Sequence, residues 1–376
     1  MYLERIDENH SRVGPCCNSG HRPVPNSELD FHTNPFLNQL RQENLAGQPS
    51  EACASCYRQE RYTGTSLRTS SIQYYDHLDA NTDALWSLDF NVDPICNAKC
   101  VICHNNLSSL WLAEDIKFGL DRAMIIRTAS SSRASRVIES IDLGQLERIY
   151  FNGGEPMLSD DPVRLLTKLR DMGRIGEVEL GFHTNASIRP SDELVDLMRQ
   201  CRRIMIFFSI DGVNEQFEYI RNPLTWSSVL DTVDFVIGQD LPNLDLGSSC
   251  SIGMHNVEYV ESWHQWWWAY TTECIQRHRP TNLPHVFNTA QLVAGPLDLH
   301  HVPTELKQHW LQLYETNYQD RVWASMVTGA CNTDSSVDKQ QHWLEHLRRL
   351  DQRRGNDWRQ ALPKLYESCK LVGIDV

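Results

Sequence analysis

The sequence predicts an α/β fold in which a parallel sheet curls into a partial (β/α) barrel. Three observations predict it. Short apolar runs recur near residues 88–94, 147–152, 178–183, 204–210 and 246–252. Helical stretches such as 161–170 and 191–200 alternate with them, the pattern of βα units. Several of the runs also end in turn or polar residues, which is where α/β folds place ligands. A chain of 376 residues exceeds the roughly 200–250 that one such barrel occupies. Three regions follow: a small Cys-rich N-terminal module over residues 1–85, the partial barrel over 86–255, and a mostly helical C-terminal extension over 256–376.

Taken in order, Pro15-Cys16-Cys17-Asn-Ser-Gly opens a turn-rich loop. Asn34 to Leu45 has helical periodicity and Gly47 stops it. Cys53-Ala-Ser-Cys56 then faces the earlier pair, and the four thiols fit a metal cage for which zinc and iron–sulfur are both chemically reasonable. Leu88 to Ile95 alternates like a strand and runs through Pro94 into Cys96-Asn-Ala-Lys-Cys100-Val-Ile-Cys103. Cubane clusters normally take four cysteines, so three on one loop leave an iron open to another ligand. Zinc would need a fourth ligand, and His104 directly after the last cysteine is poorly placed to close a tetrahedron.

Glu147-Arg-Ile-Tyr-Phe-Asn-Gly153-Gly154-Glu155-Pro156 reads as a buried strand entering a glycine pair, a carboxylate and a proline. Paired glycines admit a ligand close to the backbone, and the carboxylate can receive an ammonium group. Val178 to Asn185 and Arg203 to Gly212 are further strands with polar ends. Ser209 and Asp211 also fit capping of the following helix, and Arg221 also fits a solvated charge. Trp263-His-Gln-Trp-Trp-Trp268 lies on an expected helix and reads as packing. Residues 283–289 and Leu306 to Tyr314 lead into the helical C-terminal region.

Twelve cysteines without a small secreted scaffold point to ligands in a reducing compartment rather than to disulfides. Cys201, Cys250, Cys274, Cys331 and Cys369 are scattered and read as ordinary buried residues. No apolar run reaches the roughly twenty residues that span a bilayer, and the charged N-terminus has no signal-peptide core, so a cytoplasmic location is expected. The net charge of −14 opposes nonspecific affinity for a polyphosphate backbone. Arg348, Arg349, Arg353, Arg354 and Arg359, close to Trp358, fit either a phosphate-gripping patch or the solvated face of an amphipathic helix.

The cysteine loop followed at this separation by Gly-Gly-Glu-Pro resembles the radical S-adenosylmethionine superfamily. The resemblance implies a four-iron, four-sulfur cluster on Cys96, Cys100 and Cys103, with S-adenosylmethionine chelating the open iron. It places the cofactor's amino group on Gly153, Gly154, Glu155 and Pro156, its ribose near Thr184, Asn185, Ser209 and Asp211, and its carboxylate on Arg221. Ile102 departs from the aromatic residue usual before the third cysteine. Cys16, Cys17, Cys53 and Cys56, extending into Gly64 to Arg68, resemble a twitch-type module with an auxiliary iron–sulfur cluster. A family cysteine in a Cys-x2-Pro-Trp context has no counterpart here, which leaves the fourth ligand open, with Cys17 as the candidate. The implied chemistry is generation of a 5′-deoxyadenosyl radical that abstracts hydrogen, with electrons from a flavodoxin- or ferredoxin-type protein. The compact layout resembles bacteriophage-encoded isomerases of thymidine hypermodification, which move a glycyl substituent from nitrogen to α-carbon linkage on DNA in the host cytoplasm. Maturation of a ribosomally made precursor peptide is the alternative, and a non-catalytic iron–sulfur or zinc protein the remote one.

Overall fold

The computed structural model describes residues 2–5, 10–16, 19–25, 34–78, 84–91, 94–119, 141–318, 321, 323–333 and 342–376. It divides into two compact units. Unit 1 comprises residues 1–95, 115–183 and 191–204, and unit 2 comprises residues 96–114, 184–190 and 205–376.

Unit 1 is built on strands in the order β3-β2-β1-β4-β5-β6. The strands β4 (Ser87–Asn91), β5 (Arg148–Asn152) and β6 (Glu179–Thr184) are parallel neighbours; only Thr184 at the end of β6 is counted with unit 2. Alternate residues Leu88, Phe90, Ile149, Phe151, Leu180 and Phe182 are buried, as the period of two requires. Phe151 lies between Phe90 and Phe182, with ring centroids 6.1 and 5.3 Å away. Each such burial contributes about 1.5–3 kcal/mol. The helix Asp161–Asp171 buries Leu165, Leu166 and Leu169 and packs with the helix Asp192–Met198, which Ser191 caps.

Before Pro15, where the sequence assigns no element, the chain forms strands, and a third strand follows the Cys16 turn. β1 (Tyr2–Arg5), β2 (His10–Gly14) and β3 (Arg22–Pro25) form an antiparallel set, and β1 pairs in parallel with β4, Leu3 opposite Phe90. These strands are four or five residues long and too short to show a period. β3 carries Pro23 and Pro25, residues that a terminal strand tolerates because its outer face needs no amide donor. The helix Pro35–Leu45 starts as expected: the Asn34 side chain accepts from the Leu37 amide and proline fills the first turn. Gly64, at a φ of 73°, ends the helix Ala54–Thr63.

Unit 2 holds β7 (Arg203–Ser209), whose first two residues are counted with unit 1, β8 (Leu244–Ile252) and β9 (His285–Leu292), in the order β7-β8-β9. β8 and β9 are parallel, with Asp245 opposite His285 and Ile252 opposite Leu292. β9 falls inside the segment read as mostly helical; the other described residues of that region are mostly helical, with long helices at Val260–His278, Thr304–Asn317 and His342–Arg354. The tryptophan-rich helix is packing, as expected. Trp263 and Trp267 are buried, and their indoles donate to Ser248 Oγ and the Phe287 carbonyl, both at 2.7 Å. The α/β class, the parallel strands and the helical C-terminal region therefore stand, and among the described residues no strand pairing within either unit closes a barrel. No helix among them is long and apolar enough to cross a membrane.

Candidate functional site

The cysteine loop of unit 2 is held by backbone and side chains from distant segments. Lys99 and Val101 amides donate to the carbonyls of Asn222 and Ile220 at 2.7 and 2.8 Å. Trp111 Nε1 donates to the Cys100 carbonyl at 2.7 Å, His346 Nε2 donates to the Val101 carbonyl at 2.8 Å, and Ser108 Oγ donates to the Ala98 carbonyl. Ser109 Oγ accepts from the Cys96 amide at 3.1 Å. The helix His342–Arg354 adds a buried ion pair: Arg354 Nε donates to both Glu114 oxygens at 3.1 Å, with its guanidinium 4.8 Å from the Trp111 ring. The loop therefore keeps its shape through bonds that no metal supplies.

Cys100 is buried, while Cys96 and Cys103 are half-buried. Burial pushes the Cys100 thiol up to about 12 and Cys103 up to about 11, and each feels the charge of the other two cysteines or of Cys96. Loading such thiols with metal must release protons. Among the described residues no three Cys, His, Asp or Glu groups converge on a single ion's spacing. The His104 ring is turned to the Asn106 amide, which its Nδ1 accepts at 3.3 Å. Three thiols in mutual electrostatic reach with a cation beside one of them suit an anionic iron–sulfur cluster.

That cation is Arg221, which is buried and not a solvated charge. Its NH1 lies 3.9 Å from Cys100 Sγ and its NH2 pairs with Asp211 Oδ2 at 2.7 Å. Burial works against the guanidinium's charge, but the Asp211 carboxylate and the Cys100 thiol outweigh it, and the net shift is upward. Asp211 Oδ1 accepts the Ser251 amide at 2.7 Å, so this carboxylate braces β8 and Arg221; it caps no helix, because Asn214 is the N-cap of Glu215–Ile220. Ser209 ends β7, half-buried. Thr184 Oγ1 accepts the Ala186 amide at 3.2 Å. Asn185 Nδ2 donates to Asn97 Oδ1 at 2.9 Å and lies 3.9 Å from Cys96 Sγ.

Gly153 to Pro156 belong to unit 1. Gly153 sits at a φ of 117°, which glycine alone adopts without strain. A Cβ on Gly154 would collide with the Ile95 carbonyl, and the Glu155 amide donates to that same carbonyl at 2.8 Å. The glycine pair thus serves a close approach between two pieces of backbone. Glu155, 1% exposed, accepts the Met157 amide at 3.0 Å and caps the short turn Pro156–Leu158, a role that the sequence alone did not suggest.

In the N-terminal part of unit 1, Gly20 N donates to the Ala52 carbonyl at 2.9 Å, which ties the Cys16 loop to the segment leading into Cys53. Burial, then the neighbouring Cys16 and Cys56 thiols, raise Cys53, while Arg68 opposes the shift. Cys53 thus feels two neighbouring thiols, and Cys17 lies outside the described residues. Of the C-terminal arginines, Arg354 is spent on Glu114, Arg359 Nε pairs with Asp357 at 2.8 Å, and Arg349 donates to His346 at 3.0 Å. Two of the five, Arg354 and Arg359, thus have their charge paired with a carboxylate.

Several supporting residues carry no local signal in the sequence. Asn97 and Ser187 close a hydrogen-bonded ring with Asn185. Asn256 bridges the Asp211 and Ser251 carbonyls at 2.9 and 3.1 Å. Asn97 lies 88 residues from Asn185 and Asn256 lies 45 from Asp211, so no motif spacing marks them.

Residues 90–263 match the family described as the Radical SAM superfamily. No curated protein matches the chain. Similar solved structures include native anSMEcpe with bound AdoMet, at 16% identity over 67% of this chain and 64% of that one, with a TM-score of 0.39. SuiB of Streptococcus suis bound to S-adenosylmethionine is 12% identical over 89% of this chain and 71% of that one, TM-score 0.38. SuiB bound to precursor peptide SuiA is 12% identical over 84% and 68%, TM-score 0.38. The chain spans less than two thirds of the length of the anSMEcpe structure. The superfamily's cofactors are a four-iron, four-sulfur cluster and S-adenosylmethionine, and the three thiols of the loop fit the first of them. On the match over residues 90–263 and the cysteine loop within it, the chain carries a Radical SAM superfamily domain.

Proposed function

We propose that this protein is a radical S-adenosylmethionine enzyme whose cluster sits on Cys96, Cys100 and Cys103. The observation that carries the reading is the braced three-thiol loop with a buried guanidinium 3.9 Å from one sulfur. When bound, cluster and S-adenosylmethionine supply one-electron carbon–sulfur cleavage and hydrogen abstraction from an unactivated C–H. Gly153 to Pro156 hold the amino group, Thr184, Asn185, Ser209 and Asp211 serve the ribose, and Arg221 serves the carboxylate. Cys16, Cys53 and Cys56, with Cys17, hold an auxiliary iron–sulfur cluster. A flavodoxin- or ferredoxin-type protein supplies the electron.

The substrate proposed is a glycyl-substituted thymidine in DNA, rearranged from nitrogen to α-carbon linkage. Loss of hydrogen from that α-carbon gives a stabilised radical, and the outcome needs no net oxidation. This reading rests on the sequence resemblance. The engagement of Arg354 and Arg359 in ion pairs takes two of five arginines from the basic entrance that DNA would favour, which supports a precursor peptide as the second reading. Incubation of enzyme, S-adenosylmethionine and reductant with glycyl-thymidine DNA, followed by nucleoside mass spectrometry, decides it. An isobaric nucleoside with shifted retention is expected. Unchanged nucleosides beside modification of a peptide encoded nearby would move the assignment to peptide maturation.

A further inference from the structure

Two side chains in unit 2 direct N–H groups at sulfurs of the cysteine loop. Arg221 NH1 lies 3.9 Å from Cys100 Sγ, and Asn185 Nδ2 lies 3.9 Å from Cys96 Sγ. Neither orientation is accidental. The Arg221 side chain is 10% exposed, and its NH2 is tied to Asp211, whose side chain is fully buried and which Ser251 and Asn256 hold in place. Asn185 Oδ1 accepts from the Ser187 amide at 3.0 Å and from Ser187 Oγ at 2.6 Å. An amide proton can only be donated, so the oxygen of Asn185 is fixed toward Ser187 and its NH2 group must face Asn97 Oδ1 and Cys96.

We propose that Arg221 and Asn185 set the reduction potential of the cluster, through N–H···S contacts to the thiolates of Cys100 and Cys96. This deepens the cluster assignment and rests on it. Reduction adds one electron to a cluster and its thiolates. A donor or a positive charge beside a sulfur stabilises that added charge and raises the potential. Arg221 is the stronger of the two because a buried full charge acts further than an amide dipole. Asp211 offsets part of it through its pair with NH2, while NH1 remains directed at the Cys100 sulfur. Both residues are positioning groups for electron entry, whatever else Arg221 contacts in the bound cofactor.

The test is a redox titration of the anaerobically reconstituted full chain without S-adenosylmethionine, with dithionite as the one-electron donor and electron paramagnetic resonance as the readout. The signal followed is the cubane signal that Cys96→Ala/Cys100→Ala/Cys103→Ala removes. Arg221→Gln is expected to lower the reduced-to-oxidised ratio about tenfold at the wild-type midpoint, about 59 mV for one electron. Asn185→Leu should shift it in the same direction by less, and Arg221→Lys should restore most of the Arg221→Gln loss. Arg189→Gln, which removes an exposed guanidinium paired with Asp231, should leave the midpoint in place. A midpoint of Arg221→Gln equal to that control would overturn the proposal. So would equal shifts in Arg221→Gln and Arg221→Lys, which would mark a purely structural role. If Arg221→Gln assembles no cluster, Asn185→Leu decides, and an unmoved midpoint there counts against the idea. A wild-type protein with no signal from Cys96–Cys103 would instead defeat the cluster assignment itself.

Discussion

The two sets of cysteines differ in what holds them. Around Cys96 to Cys103, carbonyls and amides are bound by residues from 108 to 346, including a C-terminal helix 245 positions away from Val101. Around Cys16, the bonds to its carbonyl come from Ser19 and His21, at most five residues on, and Gly20 to Ala52 makes the longer link. A loop braced by its own protein can present an open cluster corner without collapsing when the ligand leaves. A set of thiols tied mostly to neighbours depends on the metal to close it. The first arrangement suits repeated chemistry at the cluster, and the second suits a site that stays filled.

The sharpest way to break this comparison is to remove the N-terminal thiols. Cys53→Ala with Cys56→Ala should eliminate the auxiliary metal completely while iron at the 96–103 loop remains, as read by metal analysis. Product formation should then fall far more than uncoupled cofactor cleavage. Stoichiometric zinc in a protein lacking Cys96, Cys100 and Cys103 would overturn iron–sulfur at the auxiliary site.

Next in size are the braces of the loop. Glu114→Ala leaves Arg354 buried without its partner and should cost about 3–5 kcal/mol in denaturant unfolding. Although burial works to raise the Glu114 carboxyl, Arg354 and Lys99 hold it below its ordinary value of 4.5. A lowered carboxyl stabilises the fold above the unfolded value and loses that contribution as pH falls through the folded one. Stability of the wild type should therefore drop on acidification below about pH 4.5, and Glu114→Gln should make that limb shallower. His346→Ala strands the Val101 carbonyl, at about 1–3 kcal/mol. Ser187→Ala opens the ring around Asn185 and should cost about 1 kcal/mol, the smallest of these effects in the same unfolding measurement.

The residues proposed to carry the chemistry stand out in the sequence because each set lies within one short loop. Cys96, Cys100 and Cys103, and the glycine pair before Glu155, are each close in sequence, the spacing that the proposed cluster and cofactor would need. The helices at Pro35–Leu45 and Asp161–Asp171 were legible from their helical periodicity. The burial of Arg221, a residue that the resemblance singles out, was not, since a buried ion pair with Asp211 and a surface charge look alike until the fold joins them. Nor were His346 and Arg354, whose partners lie more than 200 residues away. β1 and β9 went unread for a different reason: sheet pairing with β4 and β8, rather than a strong local pattern, makes them strands.

The central claim is that the 96–103 loop carries the reactive cluster, and reductive cleavage of S-adenosylmethionine tests it most directly. Anaerobically reconstituted protein with dithionite should yield 5′-deoxyadenosine and methionine. Cys96→Ala/Cys100→Ala/Cys103→Ala should abolish both products while N-terminal iron stays bound. Persistent cleavage in that triple variant would contradict the account.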